Sequence, residues 1–134
     1  MKRIISAFLC LVLFVSAAIT VTATGDNGVY CYEIDGVEYT VEFADEDIAP
    51  ETMEIIAETL VGLRDGSAQT YGLGCTLFGH DWVTKLVYVT QHKVRASVPR
   101  CKQDIYEVTY CEDCDKTKEQ VLVDSVYINC CPKD

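Results

Sequence analysis

The segment Tyr110-Cys111-Glu112-Asp113-Cys114-Asp115-Lys116 is the stretch of this chain best suited to chemistry. Two thiolates spaced by two residues at a hairpin turn can face one ion, which is the geometry of a zinc knuckle. A disulfide across so short a loop would be strained. Knuckles often carry Gly after the second Cys. Here Asp115 stands there, and Asp also visits the left-handed backbone region. The other candidate donors are Cys75, with His80 five positions on in Cys75-Thr76-Leu77-Phe78-Gly79-His80, and His92. Zinc accepts any four such ligands in a tetrahedral site. The expected set is Cys111, Cys114 and His80, completed by either His92 or Cys75, with Asp81 as a carboxylate able to orient His80. Four protein ligands leave no place for water, so such a site is structural, and its metal would supply folding energy.

Cysteine parity leaves alternatives open. If Cys111, Cys114, His80 and His92 hold zinc, then Cys75, Cys101, Cys130 and Cys131 form two disulfides and Cys31 is left over. If Cys75 replaces His92, then Cys101, Cys130 and Cys131 need Cys31 as a fourth. A third reading has no metal and three disulfides among the six C-terminal cysteines. In an exported protein a Cys-x-x-Cys is more often half of two disulfides than a metal site, and a histidine on an apolar strand face is commonly a hydrogen-bonded core residue. The adjacent Cys130 and Cys131 are expected to tie the C-terminus to two different strands.

Export is read from the first 23 residues. Lys2 and Arg3 precede an apolar run from Ile4 to Val15, and Val21-Thr22-Ala23 fits a signal-peptidase site. Residues 1–23 are therefore expected to be a cleaved signal peptide, with an uncleaved anchor as the competing reading. Cleavage removes Cys10 and two basic residues, so the formal charge goes from −10 to −12. That excess argues against nucleic acid as a partner.

The rest divides into residues 24–74, an acidic ββα lobe, and residues 75–134, a Cys/His-rich antiparallel β lobe. Residues 24–74 hold 12 acidic residues against one basic; residues 75–134 hold 9 against 8. Asp35-Gly36 is a type I′ turn signal that places Ile34 opposite Val37, Tyr32 opposite Tyr39 and Tyr30 opposite Val41. Cys31 then falls on the wet, acidic face, which isolates it and favours the two-histidine zinc set. Pro50 suits a first helical turn. Met53, Ile56, Ala57 and Leu60 follow helical spacing, with Arg64 in the last turn and Asp65-Gly66 as the stop. Strands are expected at Trp82–Val89, Gln91–Val98, Ile105–Tyr110 and Val121–Ile128. Lys85, Lys93, Arg95, Arg100 and Lys102 form a basic stretch, expected to dock on the acidic lobe through Lys93 or Arg95. The fold class is α+β: an N-terminal β-hairpin plus one helix, then a small antiparallel sheet cross-linked by Cys and His.

The run from Tyr71 to Cys131 resembles a set of small exported, Cys/His-rich, zinc-ribbon-like proteins of Gram-positive bacteria. The resemblance rests on Cys75–His80, His92-Lys93-Val94, Pro99-Arg100-Cys101, Cys111–Cys114 and Cys130-Cys131. It implies a bacterial, exported protein and no particular activity. No Gly-x-Ser-x-Gly, His-Glu-x-x-His or P-loop occurs. The expectation is a secreted, non-enzymatic interaction module held by disulfides and a structural zinc. Its partner would be a protein or an anionic glycan, with neither nucleic acid nor, after cleavage, membrane involved. The competing class is an enzyme: a zinc hydrolase with Asp81 as base, or a thiol oxidoreductase using Cys111 and Cys114. The second is disfavoured by the acidic neighbours Glu112, Asp113 and Asp115, which raise thiol pKa values.

Overall fold

The structure is a computed structural model that describes residues 28–64, 73–114 and 116–131. The expected signal peptide, residues 1–23, lies outside the described residues. The described chain runs β1 (Val29–Ile34), β2 (Val37–Phe43), α1 (Pro50–Leu60), α2 (Leu73–Phe78), β3 (Trp82–Gln91), β4 (Cys101–Cys111) and β5 (Thr117–Ile128). The strands form one antiparallel sheet in the order β1-β2-β3-β4-β5. The fold is α+β, as the residue pattern predicts.

The β1–β2 hairpin has the expected register: Tyr30 with Val41, Tyr32 with Tyr39 and Ile34 with Val37. Asp35 and Gly36 both have positive φ, 51° and 77°, as a type I′ turn requires. β2 then pairs with β3, so the acidic hairpin and the Cys/His-rich strands share one sheet. Because strand side chains alternate, Tyr30, Tyr32, Val41, Phe43, Val87, Val89, Val108 and Tyr110 line one face. They form a single buried cluster with Ile48, Met53, Ile56 and Ala57. The α1 stripe therefore packs across both sequence halves, and Tyr30 Oη donates to the Pro50 carbonyl at 3.1 Å. An ion pair also links the halves, Lys85 Nζ–Asp45 at 3.1 Å.

Three expectations need correction. First, α1 ends at Leu60, a turn before Asp65-Gly66. Gly62 at φ 80° permits a left-handed cap in which Leu63 N–H donates to Glu58 O at 2.8 Å and Gly62 N–H to Thr59 O at 3.2 Å. Second, Gln91–Val98 is no strand. β3 runs through Thr90 to Gln91, and residues 92–100 form the loop to β4. Lys93 turns the chain at φ 53°, the Val98-Pro99 peptide is cis, and Arg95 donates twice to the Pro99 carbonyl. Third, of the two residues expected to meet the acidic lobe, Arg95 does not: it lies 3.9 Å over the Tyr127 ring of β5, whereas Lys93 lines a cleft with Glu33 and Glu38 of the acidic hairpin and Lys85 adds an ion pair to Asp45.

Candidate metal centre

At one end of the long strands, four side chains converge. Trp82, first in β3, pairs with Cys111, last in β4. The β4–β5 turn follows, closed by Cys111 N–H to Lys116 O at 2.9 Å, and it carries Cys114. Glu112 N–H donates to the Asp81 carbonyl at 3.2 Å, which ties the turn to the entrance of β3. Asp81 thus contributes through its backbone. Cys75 arrives on α2, which stops where Gly79, at φ 87°, donates its N–H back to Cys75 O. The chain then turns to present His80.

The donor atoms of Cys75, His80, Cys111 and Cys114 all lie within 4.8 Å of one another. Cys75 Sγ is 3.5 Å from Cys111 Sγ, and Cys114 Sγ is 3.3 Å from His80 Nδ1. A disulfide needs about 2.05 Å. Ligands on a tetrahedral zinc, with bonds of about 2.0–2.3 Å, stand roughly 3.3–3.8 Å apart. The observed spacing matches the second geometry. Cys75, Cys111 and Cys114 are buried free thiols packed under Trp82, and the His80 and Trp82 rings lie 4.6 Å apart.

The electrostatics push the Cys111 and Cys75 thiols in opposite directions. Burial pushes the Cys111 thiol up, but the His80 side chain, the Asp113 backbone, Cys75 and Cys114 outweigh it and bring it down to about 6. Cys75 is pushed up to about 12, first by burial and then by its hydrogen bonds to Cys114 and Cys111. The acidic neighbours were expected to raise thiol pKa values. Hydrogen bonds to the sulfur dominate instead at Cys111. These Cys/His groups could hold a metal ion.

His92 is not part of this set, so the two-histidine arrangement is corrected. Gln91 pairs with Lys102, which puts His92 at the opposite end of the ten-residue β3, roughly 30 Å away at about 3.3 Å per residue. There it meets Cys101, Cys130 and Cys131, again with all donor atoms within 4.8 Å. Cys101 and Cys130 form a disulfide. Cys31 is a free thiol, half-buried on β1 and 4.0 Å from Thr40 Oγ1, so it does not serve as the fourth partner that parity demanded. Isolation of Cys31 does not select the two-histidine set, because Cys131 is also a free thiol and no fourth disulfide partner is needed. One signal was available: the donors divide into two sets of one histidine and three cysteines.

The site and sheet together define a small α+β protein with a Cys/His cluster at each end of a three-stranded meander. Compared with protein-family models, with curated proteins and with solved structures, the chain matches none of them.

Proposed function

We propose that this is an exported, non-enzymatic interaction module whose β4–β5 turn is locked by a structural zinc. The observation that carries the reading is the convergence of Cys75, His80, Cys111 and Cys114, three of them buried, within 4.8 Å of one another, with the Cys75–Cys111 and Cys114–His80 pairs at tetrahedral ligand spacing. Four protein donors fill a zinc coordination shell, whereas a hydrolytic zinc keeps a position for water. Three soft sulfurs and one imidazole suit zinc over the hard, oxygen-seeking cations. Beside this cluster, Leu77 and Phe78 stand 74% and 90% exposed. An apolar pair held in water at the end of α2, beside the metal-anchored turn, is a natural contact for a protein partner. No described helix is long and apolar enough to cross a membrane, and the disulfide fits an oxidising compartment.

The test is intact mass of the full chain recovered from the medium of a secreting host, native and denatured, followed by cobalt substitution. The expected protein lacks residues 1–23 and carries metal that is lost on denaturation and on Cys111→Ser substitution. Its cobalt spectrum should be indifferent to added cyanide or azide. Retention of Met1 would refute export by cleavage. Disulfides at Cys111 or Cys114 would refute the metal, and a spectrum that shifts with added anion would expose an open, catalytic position.

A further inference from the structure

The geometry points to a second metal site at the other end of the sheet, formed by His92, Cys101, Cys130 and Cys131 and exchangeable with the Cys101–Cys130 disulfide. This inference does not rest on the first site.

A disulfide needs two sulfurs. Here a third sulfur and an imidazole have been brought to the same point. His92 Nδ1 lies 3.2 Å from Cys130 Sγ, 3.5 Å from Cys131 Sγ and 3.8 Å from Cys101 Sγ. Cys130 Sγ and Cys131 Sγ are 3.8 Å apart. These four separations fall within or close to the roughly 3.3–3.8 Å expected between ligands on one tetrahedral zinc. The bonded Cys101–Cys130 pair is closer. The donor set repeats that of the first cluster.

The imidazole is also held as a metal-bound imidazole is held. His92 Nε2 is 2.7 Å from Thr40 Oγ1 on β2, and His92 N–H donates to Glu38 O at 2.8 Å. An Nε2–H donating to Thr40 leaves the Nδ1 lone pair facing the three sulfurs, and a hydrogen bond on the far nitrogen commonly fixes the tautomer of a metal ligand. Thr40 is thus a positioning residue. The sequence pattern adds a reason for the adjacent cysteines. Cys130 and Cys131 follow β5, whose Ile128 pairs with Cys101, so that strand end delivers two sulfurs to one neighbourhood.

The exchange balances with a dithiol as reductant. The dithiol gives two electrons and two protons to the Cys101–Cys130 bond and closes its own disulfide, leaving two cysteine thiols. One zinc ion then binds those two sulfurs, the Cys131 sulfur and His92 Nδ1, and the three thiol protons are released to solvent. Cys130 is exposed and Cys131 half-buried, so both reductant and metal can reach the site.

Zinc bound per full chain is counted with and without excess dithiothreitol. The expected result is one additional zinc in the reduced protein. Cys131→Ser and His92→Ala should abolish the increment, while Cys75→Ser should lower both totals by one and keep it. Thr40→Val should weaken the added site about 10–100-fold and leave the first unchanged. No increment in the wild type, or one that survives Cys131→Ser, overturns the proposal. If the variants do not fold, alkylation of the reduced wild type decides: zinc should protect Cys101, Cys130 and Cys131 from iodoacetamide, and unchanged labelling of these three overturns the site.

Discussion

The two ends of the β3–β4–β5 meander carry the same four donor types in different surroundings. At the β4–β5 turn, Cys75, Cys111 and Cys114 are 6% exposed or less and are all free thiols. At the other end only Cys101 is fully buried, Cys130 is exposed, and these two are joined. Ligand composition therefore does not decide what a cysteine cluster does. Burial does much of it. Sulfurs sealed beneath Trp82 are screened from oxidants and exchange partners, whereas sulfurs at an open strand end can take part in thiol–disulfide chemistry. One end is built as a fixed anchor, the other as a joint that can be remade.

The largest effect should separate the ends directly. Cys111→Ser removes one buried ligand and leaves three donors that cannot close a site. Structural zinc contributes on the order of 10 kcal/mol in small metal-dependent folds. This variant, in oxidising buffer with zinc, should therefore lose the cooperative thermal unfolding of the meander, seen by circular dichroism. Cys131→Ser in the same buffer should stay within about 0.5 kcal/mol of wild type, because the Cys101–Cys130 link persists. Equal effects at the two ends would break the comparison.

Next in size is the link itself. Cys101 and Cys130 are 29 residues apart in sequence. Loop closure of that length restricts the unfolded chain by about 3–4 kcal/mol. Cys130→Ser, measured by denaturant unfolding without added metal, should lose that amount. A loss under about 1 kcal/mol would show that the sheet ladder alone fixes the β5 end.

How much of this was legible in the residues follows physical range. The hairpin was readable because Asp35-Gly36 fixes its register locally, and every cross-strand pair expected there is present. The Cys111–Cys114 turn and its pairing with His80 were readable for the same reason: the spacing is short and the chemistry specific. The choice between Cys75 and His92 was not. It depends on where β3 ends, and Val94, Ala96 and Val98 look like strand residues although they lie in a loop closed by Arg95 and Pro99. Reading a strand there moved His92 onto a sheet face and hid its neighbourhood with Cys101. The helix end was misplaced by one turn because Gly62 competed with a second stop signal, Asp65-Gly66. The left-handed cap needs only one glycine, and the first one reached satisfies the free carbonyls.

That cap supplies a smaller test, confined to the middle of the fold. A Cβ at Gly62 would meet nothing within 4 Å, so crowding plays no part in its choice. The φ of 80° does. Gly62→Ala should cost about 1 kcal/mol, with metal content at both ends unchanged. A parallel loss of metal would mean that α1 and the clusters are coupled, and the picture of independent ends would need revision.

The smallest effect is expected at Tyr32, the most buried aromatic residue of the sheet face under α1. The residue is 1% exposed, and its hydroxyl has no hydrogen-bond partner among the described residues. Burial, and then the carboxylates of Glu58 and Glu54, push its ionisation far above the usual tyrosine range, so it stays neutral at any ordinary pH. A buried hydroxyl without a partner gives up its water hydrogen bonds for nothing. Tyr32→Phe keeps the ring and removes only that oxygen. It should leave stability unchanged or raise it by about 1 kcal/mol, against the loss on the order of 10 kcal/mol expected at the Cys111 end. Equilibrium unfolding in urea measures the difference. A loss above 1 kcal/mol would show that the hydroxyl has a partner after all, and that polar contacts help set the core between the two clusters.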